Sequence, residues 1–255
     1  MKYILVLVGV AVVLAGVNLY LTEDEAPFNQ QATGNQNRNQ TPERTQQLDN
    51  YTVDQADLVA AGPLIADIAQ AAELSTTEAE GLQFMREEEK LARDVYQALY
   101  DKWGAQVFAN IAESEQTHMD AVLTLLERYN LTDPSQADYG TFTNPNLQTL
   151  YNNLILQGNE SVEAAYEVGA LIEDLDINDL QNFIESTEHD DIILVYENLE
   201  RGSRNHLRAF NRQLERATGE TYKPQYISQT AFEEIISGDV ERGPQGGRGR
   251  GYQNR

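Results

Sequence analysis

From residue 75 onward the chain alternates apolar and polar positions with the three-and-four spacing of amphipathic helices, and no stretch shows the every-second-residue alternation of a strand. Ser75 with Glu78 carries a capping-box signature, and the helical pattern that follows runs to Trp103, where Gly104 stops it. A second helix spans about residues 105–129 and ends before the Asp133-Pro134 loop. Asn144-Pro145, a cap followed by proline in the first turn, opens a short helix ending at Gly158. A third long helix starts after Ser161 and runs to about Leu175, where Asp176 with Asp179 offers a cap for a continuation toward Ile184. The fourth covers about residues 190–217 and stops at Gly219; Ser228 caps a last short helix ending at Gly238. These periods predict an all-α fold, an antiparallel four-helix bundle with short extra helices over residues 75–238.

Some polar residues fall on the apolar stripes. Phe108, Ile111, Glu115, His118, Val122, Leu125 and Tyr129 share one helix face, and Ile192, Val195, Leu199, Gly202, His206, Ala209 and Phe210 share another. Two of the three histidines in the chain therefore lie at core positions. A Glu-x-x-His pair on such a stripe calls for a compensating cation, because an ionised carboxylate is costly to bury alone. On the first long helix Leu82, Met85, Glu89, Ala92, Tyr96 and Leu99 form a stripe that selects Glu89; the neighbouring stripe of Phe84, Glu88, Leu91 and Val95 selects Glu88, and periodicity leaves both open. On the third, Val162, Tyr166, Gly169, Glu173 and Asp176 line one side, but Glu-Asp-Leu-Asp near a helix end also reads as a solvated surface.

Outside the bundle the composition changes. In residues 1–22 the stretch 3–21 is uncharged and almost wholly apolar behind the single base Lys2, long enough to cross a bilayer, so a membrane helix is expected as a signal anchor or a signal peptide. The remainder is then expected outside the cytoplasm, anchored to the membrane or secreted. Residues 23–50 form a Gln/Asn-rich linker unable to bury apolar area, and residues 51–74 carry enough Ala, Leu and Ile for a helical lead-in broken at Gly62-Pro63. Residues 239–255 are a Gly/Arg tail. A net charge of -23 argues against nucleic-acid binding, since such a surface repels phosphates. With Cys 0, disulfides and thiolate metal sites are excluded, so any metal must be held by Glu, Asp and His.

The segment 84–131 resembles the ferritin-like superfamily, in which four helices hold a pair of iron or manganese ions. Glu89, Ala92, Arg93 and Tyr96 match the first-helix motif of its rubrerythrin-type members, and Ile111, Ala112, Glu115 and His118 match the second. Together with VGALIEDLDINDL and RGSRNHLRAF, the segment resembles more closely an uncharacterised prokaryotic family of ferritin-like domains, over about residues 75–238. The superfamily takes one Glu from each of two helices and a Glu-x-x-His from each of the other two. The resemblance thus implies Glu89, the pair Glu115 and His118, Glu173 and His206 as metal ligands. One position departs from the pattern: three residues before His206 stands Ser203, and Glu200 and Glu197 lie off the His206 face. Asp176, one turn after Glu173, is the replacement on offer, which keeps both a one-metal and an altered two-metal site open.

Oxygen and imidazole ligands without sulfur suit iron or manganese, with zinc also compatible. For two irons or manganeses the resemblance implies a ferroxidase or peroxidase type of oxidoreductase acting on oxygen or peroxide, with Tyr96 either donating an electron or serving as a core tyrosine bonded to a ligand carboxylate. Rubrerythrins proper add a cysteine-ligated iron site, which this chain cannot build. The alternative is a non-enzymatic helical binding module, with one structural ion or none, that meets a protein partner or a second copy of itself.

Overall fold

A computed structural model describes Ile65, Ile68 and residues 73–242 of the chain. The expected membrane helix, the linker, most of the lead-in and the tail beyond residue 242 lie outside the described residues. Among the described residues regular structure is entirely helical, and no helix is long and apolar enough to cross a membrane. The six principal helices are α1 (Thr76–Trp103), α2 (Gln106–Arg128), α3 (Pro145–Gly158), α4 (Val162–Ser186), α5 (Asp190–Thr218) and α6 (Gln229–Ser237).

The ends of these helices follow from local chemistry. Ser75 Oγ accepts from Glu78 N at 3.2 Å while the Glu78 carboxylate accepts from Ser75 N at 2.9 Å, closing the capping box of α1. Gly104 ends α1 in the left-handed region at φ 67°, where a side chain would be strained, and only Ala105 separates it from α2. Asn144 caps α3 ahead of Pro145, and Ser161 and Ser228 cap α4 and α6. One boundary differs from the sequence expectation. There is no break near Leu175: α4 is continuous to Ser186, and Asp176 and Asp179 serve as buried side chains inside it rather than as caps. Tertiary packing on this stretch outweighs the capping tendency of Asp.

Four long helices make the bundle, and cross-helix contacts give their directions. Glu89 meets His118 while Arg93 meets Gln116, so α1 and α2 are antiparallel. Glu173 meets His206 while Gln181 meets Glu200, so α4 and α5 are antiparallel. Tyr96 reaches Gly169 while a side chain at Gly81 would touch Phe183, which sets α1 against α4 in the same sense. Consequently α2 and α4 run the same way, and the chain must return the length of the bundle between them. Residues 129–161, carrying α3, make that crossover.

The crossover is fastened to one polar edge of α1. Arg86 donates from Nε and Nη2 to Asp133 at 3.1 and 3.0 Å, and the Glu87 carboxylate accepts from Thr143 N and Asn144 N at 2.5 and 3.0 Å. Lys90, fully buried, donates to Asp138 O at 2.9 Å and pairs with Asp94, whose carboxylate also accepts from Gly140 N. At the other side of the bundle Asp174 accepts from Tyr222 Oη and from the amides of Gln225, Tyr226 and Ile227, tying the segment before α6 to the middle of α4.

At the closed end Glu78 also accepts from Glu188 N at 3.1 Å and contacts His189 Nδ1 at 2.6 Å, so a single carboxylate joins the start of α1 to the start of α5. Burial works against its ionisation, but the bond to His189 and the backbone amides prevail and bring its pKa down to about 2 from 4.5. A pKa depressed in the folded state stabilises the fold above the unfolded value and loses that contribution as pH falls toward 2. The urea midpoint of the wild type is therefore expected to exceed that of Glu78→Gln at pH 7, with the gap closing between pH 4.5 and 2.5; a gap independent of pH would overturn the assignment.

Candidate metal centre

Two apolar clusters fill the bundle, one around Leu91, Val95, Tyr96, Phe108, Val168 and Phe210, the other around Leu82, Met85, Val122, Leu125, Leu180 and Tyr196. Between them lies a layer of buried polar side chains contributed by all four long helices. Glu89 comes from α1, Ser114, Glu115 and His118 from α2, Glu173 and Asp176 from α4, and Ser203 and His206 from α5, each no more than 5% exposed. The helical period explains the grouping: residues three or four apart share a face, and the middle of each stripe meets the middle of the others.

Glu115 is the hub. Its Oε2 lies 2.8 Å from His118 Nδ1, and its Oε1 lies 2.9 Å from His206 Nδ1. His118 Nδ1 is also 3.2 Å from Glu89 Oε2, and His206 Nδ1 is 3.5 Å from Glu173 Oε2. Glu89, Glu115 and His118 can thus converge on one ion, and Glu115, Glu173 and His206 on a second, the ligand atoms within each group lying within 4.8 Å of one another. The imidazole rings stack at 5.5 Å between centroids.

Several atoms in this layer have no hydrogen-bond donor or acceptor suitably aligned: Asp176 Oδ1, Glu89 Oε1, Glu115 Oε1 and His206 Nδ1. The 2.9 Å approach between the last two is close, yet its angles are wrong for a hydrogen bond. Ser114 Oγ lies 2.9 Å from His206 Nε2, the ring nitrogen facing away from Glu115. A proton on Nε2, donated to Ser114, leaves the Nδ1 lone pair for the interior of the layer. Tyr96 Oη donates to Glu173 Oε1 at 2.5 Å and holds that carboxylate from behind.

Burial and mutual proximity displace the protonation equilibria of these side chains. Burial pushes the Glu89 carboxyl up to about 8 against the pull of His118, and burial with the Glu115 charge pushes Glu173 up to about 7. Burial would raise Glu115 too, but His206 and His118 overturn that and hold it well below the usual carboxylate range. His206 is disfavoured as a cation by burial, yet the Glu115 and Glu173 charges bring it up to about 9. Burial and the neighbouring Glu173 raise the Tyr96 phenol well above its ordinary value.

The structure therefore brings Glu89, Glu115, His118, Glu173 and His206 together and puts Tyr96 on Glu173. Asp176 joins the layer but neither three-ligand group: one carboxylate oxygen accepts from Ser203 Oγ, across the position where the superfamily pattern would have its second Glu. Glu200 is turned away to Arg204 and Gln181. Glu88 and Glu89 are both buried, and Glu89 is the one in contact with His118. The Glu-Asp-Leu-Asp stretch is buried at Glu173, Asp174 and Asp176, not solvated, because it lies mid-helix under the segment before α6. Sequence reasoning missed Ser114, whose role beside His206 has no signal in α2 alone.

Gly202 was visible only as a gap in the α5 stripe. A Cβ there would lie 2.6 Å from His118 Nε2, so α5 approaches the ring through a position that tolerates no side chain. Gly→Ala in a helix ordinarily stabilises by up to about 1 kcal/mol. Here Gly202→Ala is expected to destabilise by about 1–3 kcal/mol through overpacking against His118, read from urea unfolding; a stabilised variant would contradict the packing.

Comparison with known proteins gives relatives without an assigned activity. The family model described as Uncharacterized protein domain (DUF2202) matches residues 78–239. An uncharacterized protein of Methanocaldococcus jannaschii is 58% identical over 171 residues, spanning 67% of this chain and 92% of the relative. A crystal structure of that hypothetical protein superposes with a TM-score of 0.66 at 55% identity, covering 68% of this chain and 98% of the other.

Proposed function

The chain belongs to the family described as Uncharacterized protein domain (DUF2202), and we propose that it is a metal-binding protein holding two iron or manganese ions between α1, α2, α4 and α5. The observation that carries this reading is Glu115: one buried carboxylate lies between two imidazoles, each of which has a further carboxylate at its side. Glu89 and His118 would hold one ion, Glu173 and His206 the other, with Glu115 shared. The unpartnered Glu89 Oε1, Glu115 Oε1 and His206 Nδ1 fit that role, since oxygens and an imidazole nitrogen left without partners in a dry interior suit a divalent cation. Zinc would fit the same donors.

The up-down-down-up course with one long crossover supports placing the bundle among ferritin-like folds. Such a pair of ions, when bound, supplies Lewis acidity and, for iron or manganese, electrons for an oxidant. On that basis the reading extends to a ferroxidase or peroxidase type of oxidoreductase using oxygen or peroxide. The side chains around the ions have separate tasks. Ser114 fixes the His206 tautomer, Tyr96 orients Glu173, and the Phe108 and Phe210 rings beside Tyr96 keep water from that end. Ser203 leaves His206 as the α5 ligand without a carboxylate one turn before it. With Cys 0, electrons must come from another molecule. The apolar residues 3–21 support a place outside the cytoplasm, tethered to the membrane or released from it.

One observation favours a second reading, a helical binding module with a single structural ion or none. Ser203 replaces the fourth acid, and the imidazoles already offset part of the buried charge. Metal content separates the two. The full chain, purified without chelator and reloaded with Fe(II) or Mn(II), is expected to hold about two centre ions. Glu115→Gln should lose both, while His118→Ala and His206→Ala should each lose at least one. Wild-type protein with no more metal than Glu115→Gln would sink the two-ion centre.

A further inference from the structure

The chain carries a net charge of -23, yet one face of α5 is basic. Arg201, Arg204, Arg208, Arg212 and Arg216 follow one another along it at three- and four-residue spacing. Two members of this row hold an acid that lies beyond the last helix. Arg204 donates to both Glu241 carboxylate oxygens, from Nε at 2.9 Å and from Nη2 at 2.6 Å, and Arg208 Nη2 adds a third bond at 2.7 Å. Burial opposes the ionisation of Glu241, but the two guanidinium groups hold its carboxyl below the usual range.

The contact is more than an ion pair, because the backbone of the same residue is gripped as well. Asn205 Nδ2 donates to Glu241 O, and Glu241 N donates back to Asn205 Oδ1, both at 2.9 Å. The receiving groups are fixed in advance: Arg208 also donates to Ile235 O and to Asn205 Oδ1, at 2.6 and 2.8 Å, and Arg208 and Asn205 are 7% and 5% exposed. Glu241 itself is less enclosed. Its side chain keeps 31% of its exposure and its neighbour Val240 is exposed, so the segment is held through Glu241 and not by apolar burial at Val240. A cavity of about 270 Å³ beside the carboxylate is lined by Arg204, Arg208 and Gln181 together with Ala231, Glu234 and Ile235.

We propose that Arg204, Asn205 and Arg208 form a recognition site for an acidic residue in an extended peptide of a partner protein, and that Glu241 closes this site in cis. An arginine pair matches a carboxylate in charge and geometry, and a side-chain amide that takes both the N–H and the C=O of one residue reads extended backbone. Phosphates of a nucleic acid could meet the arginines but have no counterpart for the paired bonds of Asn205. The cavity gives room for the side chains that flank the acid. Because the site lies on the outer face of α5 and uses none of the proposed metal ligands, it is independent of the two-ion reading.

In the full chain Glu241→Ala removes the resident carboxylate and frees the arginine pair. A peptide of residues 237–243, followed by chemical-shift titration, is expected to bind this variant at least about ten-fold more tightly than the wild type, the worth of one charge-assisted hydrogen bond. The same peptide with Gln in place of its Glu should show no such gain. Adding Arg204→Gln to Glu241→Ala should abolish it too, and Arg204, at 22% exposure, can be replaced without opening the interior. Equal binding by the wild type and Glu241→Ala would overturn the site. So would a gain that survives Arg204→Gln or the Gln peptide, or displacement of the peptide by an equimolar single-stranded oligonucleotide.

Discussion

The cost of burying carboxylates across the middle of a four-helix bundle is the constraint from which most of this structure follows. An ionised acid removed from water loses several kcal/mol, and roughly as much must be returned by opposite charge or aligned donors. Here Glu89, Glu115 and Glu173 share one thin layer, and two imidazoles are the nearest bases to them. Apolar clusters above and below the layer supply the burial that holds the helices together, and they also lower the local dielectric in which the layer must be satisfied. Outside the layer Glu78, Glu87, Asp94, Asp174 and Asp191 are held by backbone amides, hydroxyls or a base, whereas both Glu88 oxygens are buried without a donor.

The crossover between α2 and α4 shows how the same helix serves both demands. One edge of α1 sends Glu88 and Glu89 inward, while another edge, through Arg86, Glu87, Lys90 and Asp94, binds the returning chain. Residues 129–161 thereby cover charged positions that would otherwise face solvent. Close approach on the far side relies on missing side chains. Gly169 lets the Phe210 ring lie where a Cβ would sit 2.6 Å away, and Gly202 admits the His118 ring. Both contacts draw α5 toward the layer and set the 5.5 Å spacing of the two imidazoles.

Ser203 gives the site its own character. Its hydroxyl bonds Asp176 across the α4–α5 interface and so occupies one oxygen of the acid that spacing would offer to the centre. The result is a layer in which α5 supplies an imidazole while α1, α2 and α4 supply the carboxylates around it.

Local chemistry alone determined much of the fold. The capping box of α1, the Asn-Pro start of α3 and the glycines at helix ends act within one turn, and the stripes of α2 and α5 placed Glu115, His118 and His206 in the core without reference to any other helix. Tertiary structure decided what one helix cannot encode. Glu88 and Glu89 sit on adjacent stripes, and only the reach to His118 separated them. Arg86, Glu87 and Lys90 have the composition of a solvated face, yet the crossover encloses them. Asp176 and Asp179 have the local chemistry of caps, but α4 continues through them because packing on Glu88, Ser203 and the apolar neighbours outweighs a single turn's preference. Ser114 gained its role from a histidine 92 residues away. Periodicity reports which residues face inward; which of them meet depends on helix direction and distance, and those are set only when all four helices share one core.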